Sequence, residues 1–184
     1  MENTMNDKYA RLAGVWLCMF LILLAVVSRL LPHPPNFTPL AAVGLFAGAY
    51  LGARKFWLVP VTALLLSDMV IGFYPPVVMV FVYSAFILCA YIGRAFLHER
   101  HSLLRLGGAT LSGSVIFFIL SNLGDWWSGL NYPLTLDGLF DCYVMAIPFF
   151  RNTLLGDLFY VACLFGVYEM CSRMLCNLRT VHSA

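Results

Sequence analysis

The sequence predicts an all-α, polytopic membrane protein of six transmembrane helices, and three observations carry that prediction. Of 184 residues, 61% are hydrophobic and only 11% charged, with a mean hydropathy of +0.85, a composition outside the range of soluble domains. The apolar residues run in long stretches broken by charges, prolines and glycines. The basic residues gather in alternate connections, as they do where cytoplasmic loops retain positive charge.

The first stretch, residues 12 to 31, follows Lys8 and Arg11 and ends in Arg29-Leu-Leu-Pro-His-Pro-Pro35. It has no small-x-small cleavage site, so it reads as a retained helix rather than a secretory leader. Five further spans are expected at residues 39 to 53, 56 to 73, 77 to 93, 106 to 127 and 152 to 172. Helices 2 and 4 are short. Fifteen residues rising 1.5 Å each reach only about 22 Å against a hydrocarbon core of about 30 Å, so helix 2 calls for shelter by its neighbours, as a recessed or broken segment. Residues 137 to 150 are too polar at one end and too short to span; an interfacial helix or lid over the outer mouth fits them better. Small residues mark close helix contacts at Ala10 and Gly14, Gly44 and Gly48, and Ala109 and Gly113. No internal repeat or soluble domain stands out, and one integral membrane domain covers residues 1 to 184.

Orientation follows from the eleven basic residues. Lys8, Arg11, Arg54, Lys55, Arg94, Arg100, Arg105, Arg173 and Arg179 fall on one side, and only Arg29 and Arg151 on the other. Both termini are therefore expected to be cytoplasmic, with residues 32 to 38, 74 to 76 and 128 to 151 facing outward. Those outward connections carry the polar and aromatic residues, which points to recognition on the outer face; Trp and Tyr also gather at interfaces simply as anchors.

Several function classes lose support. A net charge of +2 from scattered residues gives no phosphate-binding patch, so nucleic acid is not an expected partner. The six cysteines lie mainly in apolar runs without CxxC or Cys/His spacing, which indicates neither a disulfide framework nor a zinc site. His33 and Cys142 alone make a poor metal pair. No HExxH, GxSxG or carboxylate pair flanking a histidine occurs, so no enzyme is expected.

Asp68 is the strongest candidate residue. A carboxylate within a span is expensive and must face protein, water or a ligand; twelve residues along helix 3 it lies about 18 Å in, in the outer half. Its alternative role is an interhelical hydrogen bond. Asn122 and Asp125 share one face near the outer end of helix 5, followed by Trp126 and Trp127 at interface depth. Arg151, Asn152 and Asp157 open helix 6, where Arg151 pairing with Asp125 or Asp141 is as good a reading as ligand binding. The expected binding set is Asn36, Thr38, Asp68, Tyr83, Asn122, Asp125, Trp126, Tyr132, Asn152 and Asp157. Of these, Asp68, Asn122, Asp125, Trp126, Tyr132 and Asn152 are expected to line one outer cavity.

Asn36-Phe-Thr-Pro39, then Gly48, Gly52 and a helix ending Leu66-Ser-Asp68 before a glycine-containing turn, resembles the substrate-binding S-components of energy-coupling-factor vitamin transporters. The chain also resembles, over nearly its whole length, a family of uncharacterised bacterial membrane proteins, through Leu31-Pro-His-Pro-Pro-Asn-Phe-Thr-Pro39, Leu66-Ser-Asp68, Ala146-Ile-Pro-Phe-Phe150 and Asn152-Thr-Leu-Leu-Gly-Asp157. The S-component likeness implies a six-helix bundle in the bacterial inner membrane. It implies a vitamin-sized ligand taken from outside, uptake by toppling in the bilayer, and an energising membrane module as partner. Two departures matter. Only Ala10 and Gly14 stand where that family docks its module through an alanine-rich helix 1 motif. Phe73-Tyr-Pro-Pro-Val-Val-Met79 lacks the cysteine that some solitary relatives offer to cobalt, so no metal or cofactor is carried over. The rival reading is a small membrane scaffold whose polar residues only tie helices together.

Overall fold

A computed structural model describes residues 2–51, 55–98 and 102–182, with side chains over 12–51, 55–98 and 102–174. The described residues form six helices and no strand: α1 Glu2–Leu30, α2 Leu40–Tyr50, α3 Leu58–Ile71, α4 Pro76–Leu97, α5 Leu103–Ser128 and α6 Leu136–His182. Within them, Leu12–Leu30, Pro76–Leu97, Leu103–Ser128 and Leu136–Met174 are long and apolar enough to cross a membrane. The other two, α2 and α3, reach only about 17 and 21 Å at 1.5 Å per residue.

The shortness of α2 is explained by its place. Its sequence, Leu-Ala-Ala-Val-Gly-Leu-Phe-Ala-Gly-Ala-Tyr, is apolar all round, and every residue from Leu40 to Ala49 is buried, as expected of a helix wrapped on all sides. It packs against α4, α6, α3, α5 and α1. Its tightest neighbour is α4. A Cβ on Gly48 would stand 2.0 Å from the Ala90 carbonyl oxygen, and one on Gly93 would stand 2.1 Å from that of Leu45. Only glycine lets the two backbones meet so closely.

Gly44 lies in the same seam, and Gly113 packs on Cys89 of α4, beside buried Ala109. Gly14 differs from expectation: no atom stands within 4 Å of where its Cβ would be, because α1 turns a mostly exposed apolar surface outward there. The side chains of Ala10 and Arg179, and Gly52, Arg54 and Arg100, lie outside the described residues.

The largest departure concerns residues 137 to 150. Instead of a separate interfacial helix or lid, they are the start of α6, a single 47-residue helix with Pro148 inside it. Thr135 caps that start, its Oγ1 accepting from the Gly138 amide at 3.1 Å. Proline removes one backbone donor, yet the helix continues through it, with α5 packed alongside: Tyr143 donates to the Ile119 carbonyl at 2.8 Å, and the rings of Phe118 and Phe150 lie 5.0 Å apart. At the other end of the α5–α6 connection, Gly129 closes α5 with φ +67°, the left-handed conformation that glycine adopts without cost.

Candidate functional site

The sequence places one cation near the end of α1 and one carboxylate near the end of α3, and the fold brings them together. Arg29 Nη1 donates to Asp68 Oδ1 at 2.7 Å and also to Ser67 Oγ. Tyr83 of α4 donates to Asp68 Oδ2 at 2.8 Å. Ser67 in turn donates back to the carbonyls of Ala63 and Leu64. The Asp68 side chain is 1% exposed and that of Arg29 17%, so this is a buried ion pair whose carboxylate has both oxygens occupied, the condition under which such a pair is tolerable. In the 72–75 connection, burial and then the Asp68 carboxylate push the Tyr74 phenol up to about 12; it therefore remains a neutral hydrogen-bonding group beside the pair.

Arg29 reaches past the pair into a cavity of about 380 Å³, a volume within the range of small-molecule sites. Polar groups come to it from four places: Arg29 from α1, His33, Asn36 and Thr38 from the proline-rich connection, Tyr74 from the α3–α4 connection, and Thr153 and Asp157 from α6. Its apolar walls include Leu40, Leu64, Val82, Phe86 and Phe117, and the Phe86 and Phe117 rings stand 5.0 Å apart. Asn36 sits with φ +63°, a left-handed conformation that asparagine tolerates better than most residues. Its neighbour Phe37 packs on Gly156 and on the rings of Phe159 and Tyr160, which anchors the connection to α6.

Asp157 is only 2% exposed. Its Oδ2 accepts from Ser114 of α5 at 2.6 Å, and Oδ1 has no further partner among the described residues.

Of the expected binding set, Asn36, Thr38 and Asp157 line this cavity. Asp68 and Tyr83 stand behind Arg29 and fix it. Asn122 faces a recess of about 70 Å³ that shares Asn36, Phe117 and Thr153 with the main cavity.

The remaining residues lie elsewhere, so the expected single cavity of Asp68, Asn122, Asp125, Trp126, Tyr132 and Asn152 is not what the fold builds. Asp125 accepts from Asn131 at 2.8 Å and Trp126 donates to the Pro133 carbonyl at 3.0 Å. Both tie down the α5–α6 connection, and Tyr132 belongs to that connection. Asn152 is one residue out of phase with Thr153, which turns another face of α6 to the cavity. Arg151 is exposed and makes no ion pair with Asp125 or Asp141.

Arg29, His33, Tyr74 and Thr153 line the cavity without having been in the expected set. For Arg29 the signal was an arginine at the end of an apolar run, at the depth of the Asp68 carboxylate.

An all-helical protein, with four helices of membrane-crossing length around a polar cavity, is the class that fold and site define. Residues 10–178 match the family of unknown function DUF6580, and the chain belongs to that family. No curated protein and no solved structure matches it.

Proposed function

We propose that this protein is a multi-pass protein of the bacterial inner membrane that binds a small molecule from the outer face and mediates its uptake, in the manner of an S-component. The observation that carries the reading is the cavity in which Arg29, fixed by Asp68, converges with Asn36, Thr38 and Asp157. Polar groups are too costly to gather inside an apolar bundle without use.

Membrane placement is supported by exposed Leu12, Trp16, Met19, Phe20 and Leu23 along α1, a surface suited to lipid. The charge distribution along the sequence supports an outward-facing cavity end. An energising membrane module is the partner an uptake cycle of this kind uses.

The test is native mass spectrometry of gently purified protein, with Thr38→Val and Asp157→Asn alongside. A small-molecule mass bound to the natural chain and lost in the variants is the expected result. Natural protein that is empty and gains no melting temperature from vitamin-sized compounds would leave the scaffold reading in its place.

A further inference from the structure

We infer that the cavity is built for a small zwitterion with an apolar body, its anionic group toward Arg29 and its ammonium toward Asp157; this rests on the binding reading above. The anionic end is defined by two independent sets of donors. Both of the Arg29 bonds to α3 leave from Nη1, and its other guanidinium N–H groups have no partner among the described residues.

Beside it lies the start of α2, where Pro39 provides no side-chain cap. The first backbone bond into that helix runs from the Val43 amide to the Pro39 carbonyl at 2.7 Å, so the amides of Leu40, Ala41 and Ala42 precede any acceptor. These residues are no more than 3% exposed, and Leu40 and Ala41 line the cavity. A buried, uncapped helix start demands acceptors and favours negative charge.

The α6 wall demands the reverse. Asp157 is buried, is satisfied by Ser114 at one oxygen only, and makes no ion pair among the described residues, where Arg29 pairs with Asp68. A ligand ammonium supplies the missing charge and donor together. Phe86 and Phe117 add apolar wall to the same cavity, against which a hydrocarbon body packs.

The probes are L-phenylalanine, phenethylamine and 3-phenylpropanoate, which share one ring and differ in which charges they carry. Binding to the full chain in detergent is measured by calorimetry. L-phenylalanine is expected to bind at least about tenfold more tightly than either singly charged analogue, about one charged contact's worth. In Asp157→Asn its affinity should fall to that of 3-phenylpropanoate, whose own affinity should not change.

Either analogue binding as tightly as L-phenylalanine to the natural chain overturns the two-ended site, and that comparison needs no folded variant. No binding by any of the three also overturns it; a mass retained in native spectrometry would then leave the binding reading standing without the zwitterion.

Discussion

The two ends of α2 face different worlds. At its start lies the polar cavity, ringed by Arg29, Asn36, Thr38 and Asp157 and backed by a buried ion pair with three hydrogen bonds. At its end lies a second cavity, of about 450 Å³, lined by Tyr50, Leu97, Leu103, Leu106 and Phe165, with Glu169 and Arg173 at its edge. That pair is 4.0 Å apart, with side chains 42% and 81% exposed, and contributes little. Stability at this second end comes from backbone packing through Gly48 and Gly93 and from the rings of Phe46, Tyr50, Phe165 and Tyr168. Size alone therefore does not mark a site; convergent, unsatisfied polar groups do.

The contrast can be broken most severely at Asp68. Asp68→Ala strands Arg29 without its carboxylate and should cost about 3 kcal/mol or more, read as a large loss of melting temperature in detergent. The double variant Arg29→Met, Asp68→Leu sharpens the point: it should recover most of that stability while binding no ligand, which separates the functional use of the pair from its structural role. A double variant as unstable as the single one would show the pair to be structural.

At the other end, Gly48→Ala forces α2 and α4 apart and should cost about 2 kcal/mol, with Gly14→Ala as the neutral comparison because nothing surrounds Gly14. Equal melting temperatures for these two variants would refute the close packing. The smallest effect is expected for Arg173→Ala, at most about 0.5 kcal/mol; a larger fall in thermal stability would mean that the second end relies on its ion pair after all.

What could be read from residue order was whatever depended on local composition. The long apolar runs placed α1, α4 and α5, and the shortness of the second run, with its small residues, announced a sheltered α2. Asp68 stood out because a carboxylate in an apolar run is conspicuous alone. Arg29 did not, because its meaning depends on a residue 39 positions away. The polar and aromatic residues around 125–133 drew attention as binding candidates, but their hydrogen bonds serve the turn between α5 and α6. The polar end of residues 137 to 150 and their shortness made a separate helix look natural, whereas one helix runs through them, packed on α5.

A helix of 47 residues measures about 70 Å, more than twice the apolar thickness of a bilayer. Thr153 and Asp157 form part of one cavity, and Phe165, Glu169 and Arg173, on the same rod, part of the other. Asp157 and Glu169 are twelve residues apart, about 18 Å along the axis, with no proline between them. One continuous helix therefore supplies wall to both chambers, and neither wall is built independently of the other.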